Sequence, residues 1–330
     1  MKRRTPILIL ILTMLLIPGL RALASPFAPI STRPQREAAV DKDLAWIHAQ
    51  QQANGAVGGL GESCDIARAV ALAGDDPDDP TWTPGRVSLL KRCKLDLPEY
   101  LAREDAGRIA KVLRAAIATD EDPQDFGGYD LIAMLESQYD PQTGFYHPHN
   151  LFRNALAMIA LEEAERPISA KTIAAIANEQ NSDGCWGWPI GGDVTDTDTS
   201  GLIIHALAGA GYADHPAAVQ CVGTLMARQL PDASWEARWG DAAGNSDSTA
   251  LVIQGLAAAG WDPEGPAFTK DRTAVEALLA FQAEDGSFWW RYDQAGTLLL
   301  GSKQAIQPLV MTYPNERPKP FTLYLPVSAH

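Results

Sequence analysis

Six times along this chain an alanine-rich helical stretch runs into a proline. The stops are Pro77, Pro123, Pro167, Pro216, Pro263 and Pro314, spaced 46, 44, 49, 47 and 51 residues apart. A period of that length marks a repeat architecture: each unit is one supersecondary element that cannot bury its apolar face alone and must stack on its neighbours.

Each unit reads as two helices joined by a glycine-containing loop. In the fourth, Thr172 to Gln180 ends one helix, Asn181-Ser182-Asp183-Gly184 is turn chemistry, and Thr199-Ser200 offers an N-cap before Leu202 to Ala208. In the fifth, Ser248-Thr249 opens Ala250 to Ala259 and Gly260 closes it. The first unit contributes Cys64 to Gly74, the second Leu97 to Thr119, and the third Leu151 to Leu161. The sixth contributes roughly Gln304 to Met311, with Pro308 expected to kink or shorten it. These second helices are apolar nearly all round, the pattern of a helix buried on every side, whereas first helices such as Asp271 to Phe281 keep a charged face. The expectation is an all-α (α/α)6 toroid of six hairpins, with an inner apolar ring inside an outer amphipathic one.

The joining loops carry a further signature, Gln-x3-Gly-x-aromatic. It reads Gln180-x3-Gly184-x-Trp186 and Gln282-x3-Gly286-x-Phe288, with Ala in place of Gly in Gln229-x3-Ala233-x-Trp235. The first unit has Gln51, Gly55 and Val57, the third spreads the motif from Gln138 to Gly144 and Tyr146, and the second lacks it. In this motif the sequence resembles the prenyltransferase and squalene-oxidase repeat superfamily, the terpenoid cyclases and protein prenyltransferases, over about residues 41 to 314. The resemblance implies that Gln180, Gly184, Trp186, Gln229, Trp235, Gln282, Gly286 and Phe288 fasten neighbouring outer helices.

In such a toroid the second helices start at one mouth of a central cavity, where unpaired N–H groups and the helix dipole favour a ligand. The candidates there are Asp65, His147, His149, Asn150, Asp193, Asp196, Asp198, Asn245, Asp247, Tyr292 and Asp293. The chemistries of the superfamily are incomplete at these positions. Terpene cyclases of the protonating kind carry Asp-x-Asp-Asp; here Asp196-Thr197-Asp198-Thr199 keeps the first two aspartates and ends in Thr199. Zinc-dependent prenylation needs Asp-x-Cys, and Asp247-Ser248-Thr249 lacks the thiolate. The complement-type thioester has neither Cys nor Gln in Gly59-Leu60-Gly61-Glu62-Ser63. No metal or cofactor is expected. His205 reads as a core histidine, and Trp188, Trp239, Trp289 and Trp290 suit either packing or an apolar mouth.

The leading expectation is a non-catalytic ligand-binding or interaction protein, taking a small apolar or corrinoid-like ligand or a protein partner. Its toroid distantly resembles that of the intrinsic-factor and transcobalamin carriers. The alternative is a cyclase-like isomerase with Asp198 as general acid, assisted by Asp196. Export is expected from the N-terminal segment: Lys2, Arg3 and Arg4 precede an apolar run from Ile7 to Ile17, and Ala22-Leu23-Ala24 fits a cleavage site. The division is then a leader at 1–24, a linker at 25–40, the toroid at 41–314 and a tail at 315–330. Loss of the leader leaves 23 basic against 41 acidic residues, a balance that disfavours nucleic acid, and no later stretch is long enough to span a bilayer. In an exported chain the four cysteines suit two disulfides, and pairing Cys64 with Cys93 and Cys185 with Cys221 closes the smallest loops.

Overall fold

A computed structural model describes residues 31–312. The expected leader (1–24) and tail (315–330) lie outside the described residues. Among these there are twelve α-helices and no strand. They alternate between an outer and an inner layer: α1 (Arg33–Ala49) with α2 (Glu62–Ala73), α3 (Leu89–Tyr100) with α4 (Ala106–Ala118), and α5 (Leu131–Glu136) with α6 (Leu151–Glu163). Then come α7 (Ala170–Asn178) with α8 (Thr197–Gly209), α9 (Pro216–Arg228) with α10 (Ser246–Ala258), and α11 (Ala274–Leu279) with α12 (Leu298–Met311). Each even-numbered helix packs on the next, and α12 packs back on α2, so the inner helices close into a ring. No helix among the described residues is long and apolar enough to cross a membrane.

The loop motif is a backbone clamp. The Nε2 of Gln180 donates to Gly184 O in its own loop at 2.6 Å and to Ala217 O in the next repeat at 2.7 Å. Gln229 does the same to Ala233 O at 3.0 Å and Phe268 O at 2.8 Å, and Gln51 to Gly55 O at 3.1 Å and Trp82 O at 2.9 Å. The first loop therefore clamps fully although Val57 stands in the aromatic place. The residue four after the glutamine sits in the left-handed region, with φ +90 at Gly184, +97 at Gly286 and +67 at Ala233, which is why glycine is usual there and why Ala233 is strained. Indole N–H groups lock the other side of the loop, Trp186 Nε1 to Ile176 O and Trp235 Nε1 to Leu225 O, both at 2.8 Å.

A second recurring bond supports the clamp. The backbone N–H of the aromatic position donates to a side-chain oxygen near the start of the following inner helix. Trp186 donates to Ser200, Trp235 to Thr249 and Phe288 to Ser302, each at 3.1 Å, Val57 to Ser63 at 3.3 Å, and Tyr146 to Asn154 Oδ1 at 2.7 Å. The second repeat keeps neither bond, because only residues 101–105 join α3 to α4.

The ring closes at α1. Gln282 Nε2 donates to Gly286 O at 2.9 Å and, across the whole length of the chain, to Ala39 O at 2.7 Å. A Cβ on Gly286 would stand 2.3 Å from Lys42 O, so the seam admits only glycine there. Buried Arg36 pairs with Glu264, which Ser31 also bonds. Asp43 is fully buried near Ser302 of α12, and burial pushes its carboxyl up to about 8.

Two boundaries differ from the sequence reading. Helix α1 begins at Arg33, inside the expected linker 25–40, because Pro34 sits in its first turn and Gln35 Oε1 accepts the Thr32 N–H at 2.7 Å. Helix α12 begins at Leu298 rather than near Gln304 and runs on to Met311 through Pro308. A proline in the last turn removes one bond where few remain to be made. The disulfides are Cys64–Cys93, tying α2 to α3, and Cys185–Cys221, tying the α7–α8 loop to α9.

Candidate functional site

Four of the inner helices begin with a side chain that caps them. Asp105 accepts the Arg108 N–H at 3.1 Å, Asn150 that of Arg153 at 2.9 Å, Asp196 that of Thr199 at 2.8 Å, and Asn245 that of Ser248 at 2.9 Å. The caps expected at Thr199-Ser200 and Ser248-Thr249 are thus displaced upstream, since an aspartate or asparagine three residues before the donating N–H reaches it better. Asn150, Asp196 and Asn245, all candidate ligand residues, spend their oxygens on backbone. Asp196 also accepts the Thr199 hydroxyl at 2.6 Å.

Capping by Asp196 turns Asp198 into the ring. The Ser248 hydroxyl of α10 donates to Asp198 Oδ1 at 2.5 Å. Burial first, then the charge of Asp196, pushes Asp198 up to about 7, with the Ser248 bond pulling the other way and Asp247 adding to the rise. Asp247 occupies the matching position on α10. Its Oδ1 is buried without a hydrogen-bond partner, and burial pushes it up to about 6 against the pull of Lys303. Near neutrality these two carboxyls are therefore partly protonated and can donate as well as accept hydrogen bonds.

Opposite them the ring is ionic. Lys303 of α12 bridges Glu62 and Asp65 of α2, both at 2.7 Å, and Lys111 of α4 reaches Asp65 at 3.0 Å. Burial raises Asp65, but the two ammonium groups overcome it and hold the carboxylate at about 2. Tyr100 stands beside this group, its phenol pushed up to about 12 by burial and by the charge of Asp65.

The remaining candidates fall into separate places. His147 lies with Arg153 at 3.1 Å and Asp105 at 3.5 Å at the start of α4 and α6; burial lowers its basicity while Asp105 raises it. His149 is exposed and its N–H donates to His147 Nδ1 at 3.2 Å. Asp193 and Asp196 line a cleft of about 250 Å³ with Trp188, Pro189, Val194 and Arg238. Tyr292 stacks on Phe281, behind α11, with ring centroids 4.3 Å apart, and Asp232 accepts its hydroxyl, so the structure does not join it to Asp198 and Asp247. Trp239 lies under the Arg228 guanidinium at 4.6 Å, a packing role.

The sequence reading missed Lys111, Lys303, Glu62 and Ser248. The signal was present: a lone lysine inside an otherwise apolar helix, such as Lys303 in Leu298–Met311, has nowhere to go but a polar lumen.

Among solved structures, the type II terpene cyclase MstE from Scytonema matches with a TM-score of 0.63 at 14% identity, covering 86% of this chain and 99% of that one. The fold is that of the terpenoid-cyclase toroid. The same toroid carries other chemistry. An α-1,6-mannanase of Salegentibacter matches with a TM-score of 0.60 at 10% identity over 84% of this chain and 99% of that one. A polysaccharide lyase matches with 0.59 at 11% over 85% and 97%. Neither a protein-family model nor a curated protein matches the sequence.

Proposed function

We propose that this chain is an exported terpenoid-cyclase toroid that binds a small ligand at the N-terminal mouth of its inner ring, with Asp198 and Asp247 as the groups that recognise it. The carrying observation is the pair of carboxyls on adjacent helices, one holding a single serine bond and the other an unpartnered oxygen. Buried polar groups left open in this way are completed by a ligand or water. The ions opposite them favour a polar ligand over a pure hydrocarbon, so a corrinoid-like molecule suits the mouth better than a polyene. The two disulfides support an oxidising, extracytoplasmic setting, in keeping with a leader at 1–24. Native mass spectrometry and calorimetry with cobalamin test the carrier reading. Binding that weakens at least tenfold in Asp198→Asn supports it; no uptake of cobalamin by the purified protein sinks it.

A second reading has its own support. The solved neighbours include a terpene cyclase bound to geranylgeranyl dihydroxybenzoate, and Asp198 occupies the central aspartate place of the protonating motif. On this reading Asp198 donates its proton to an alkene. The neighbours favour it at least as much as they favour binding. The site favours it less, because a pKa near 7 keeps the proton on but weakens it as an acid. Incubation with geranylgeranyl dihydroxybenzoate decides: a cyclic product that disappears in Asp198→Asn establishes the enzyme, and unchanged substrate rejects it.

A further inference from the structure

About 10 Å along the inner helices from Asp198, seven residues at 1.5 Å each, the lumen holds a second cluster that the mouth does not use. Arg114 of α4 grips Glu163 of α6 with two bonds, Nε to Oε2 at 2.9 Å and Nη2 to Oε1 at 2.8 Å. Arg68 of α2 reaches past α4 to the same carboxylate at 3.4 Å, and its Nη1 donates to Gln307 Oε1 of α12 at 2.8 Å. Helices α2 and α6 are not neighbours in the ring, so these side chains meet inside it. From the facing wall comes His205 of α8, with Gln254 of α10 at the matching register and 3% exposed.

The cluster is incomplete in a specific way. Two guanidinium groups share one carboxylate within contact distance. Glu162, the next acid along, is turned against Gly209 of α8 and makes no ion pair among the described residues. Asp65 is taken by Lys111 and Lys303. Both Arg68 Nε and His205 Nδ1 are buried without a hydrogen-bond partner. Burial, helped by the charge of Arg114, holds His205 down at about 3, so its ring is neutral and can carry a proton on Nδ1. Arg68 meets Glu163 only at 3.4 Å and shares it with Arg114, and a planar fork with a free N–H is suited to a further carboxylate. Just above, on the faces that carry Asp198 and Asp247, stand Leu202 and Leu251, with Leu156 at the same level on α6; all three are buried and apolar.

We propose that this floor is a carboxylate-binding site, with Arg68 Nε and His205 Nδ1–H as donors, for a small amphiphile whose alkyl part lies against Leu156, Leu202 and Leu251. The site is independent of the mouth reading. One carboxylate would take up the two unpartnered nitrogens, Arg68 Nε and His205 Nδ1, and the leucine belt covers a chain of a few carbons.

Calorimetry on the purified protein with hexanoate, hexanol and inorganic phosphate tests this. The expected result is binding of hexanoate, at least tenfold weaker binding of hexanol, a loss of at least tenfold for hexanoate in Arg68→Met, partial rescue by Arg68→Lys, and no change in Asp198→Asn. That last variant separates failure of the floor from failure of the mouth. Equal binding of hexanol, binding of phosphate in place of hexanoate, or an unaffected Arg68→Met overturns the assignment. If Arg68→Met does not fold, the ring signals of His205 in the unaltered protein decide by NMR: a shift on adding hexanoate supports the site, and no shift refutes it.

Discussion

Replacing Gln282 by leucine removes the two bonds that fasten the last repeat to the first, Nε2 to Gly286 O and to Ala39 O. Each such bond is worth about 1 kcal/mol net, and the carbonyls left behind lose their partner at a packed seam, so the expected cost is about 2–4 kcal/mol. For a domain of this size that corresponds to roughly 3–7 °C in Tm. The control is Gln180→Leu, which breaks the equivalent pair to Gly184 O and Ala217 O in the middle of the chain. In a closed ring the seam at Gln282 is an interface like the one at Gln180, so urea unfolding followed by circular dichroism should give the two variants the same loss to within about 0.5 kcal/mol. An open arc makes the seam idle. If Gln180→Leu carries its full cost while Gln282→Leu unfolds like the parent, the closure argument is wrong.

Asp43→Asn is expected to stabilise the protein above neutral pH. The folded state holds the Asp43 proton to about 8 while an unfolded aspartate releases it near 4, so stability falls as pH rises through that window, and the amide removes a few kcal/mol of that loss; a flat difference between parent and variant from pH 5 to 8 would contradict it. Reducing the disulfides, whose partners lie 29 and 36 residues apart, should cost about 3–4 kcal/mol each on the chain-entropy view, read from denaturant midpoints with and without reductant. Ser248→Ala deletes the bond that favours the ionised form of Asp198, and an NMR titration should place its pKa above the parent value of about 7; a downward shift refutes the assigned role. Ala233→Gly relieves the left-handed strain at φ +67 and is expected to add about 1 kcal/mol, less the added flexibility of the unfolded chain, in the same unfolding assay.

The ring was legible in the proline period and in Gln180, Gln229 and Gln282, because a repeated clamp leaves a repeated residue. In the first unit Val57 breaks the aromatic pattern, yet the clamp depends on the Gln51 amide, which makes both bonds. The acceptors Ser63, Asn154, Ser200, Thr249 and Ser302 escaped notice, since serine, threonine and asparagine perform one bond with different side chains at different loop lengths. At the mouth the carboxyl of Asp198 was recognised, but Asp196, expected to assist it, caps the helix, and the caps expected at Thr199-Ser200 are not the ones formed. The lumen ions were invisible for a different reason. A helix judged by its average hydropathy hides one lysine or arginine, and which way Arg68, Lys111, Arg114 and Lys303 point is decided only when six helices close on a common axis.

Because the bond from Gln282 to Ala39 is the same bond that joins Gln180 to Ala217, the seam between the last repeat and the first is fastened like a gap inside the chain, and α1 lies against α12. The starting point of the polypeptide is then a matter of genetic bookkeeping. Joining residue 312 to residue 31 through a short tether and cutting at Gly191–Gly192, in the exposed loop before α8, should give a permuted protein of the same shape, with every clamp preserved and only the order of synthesis changed.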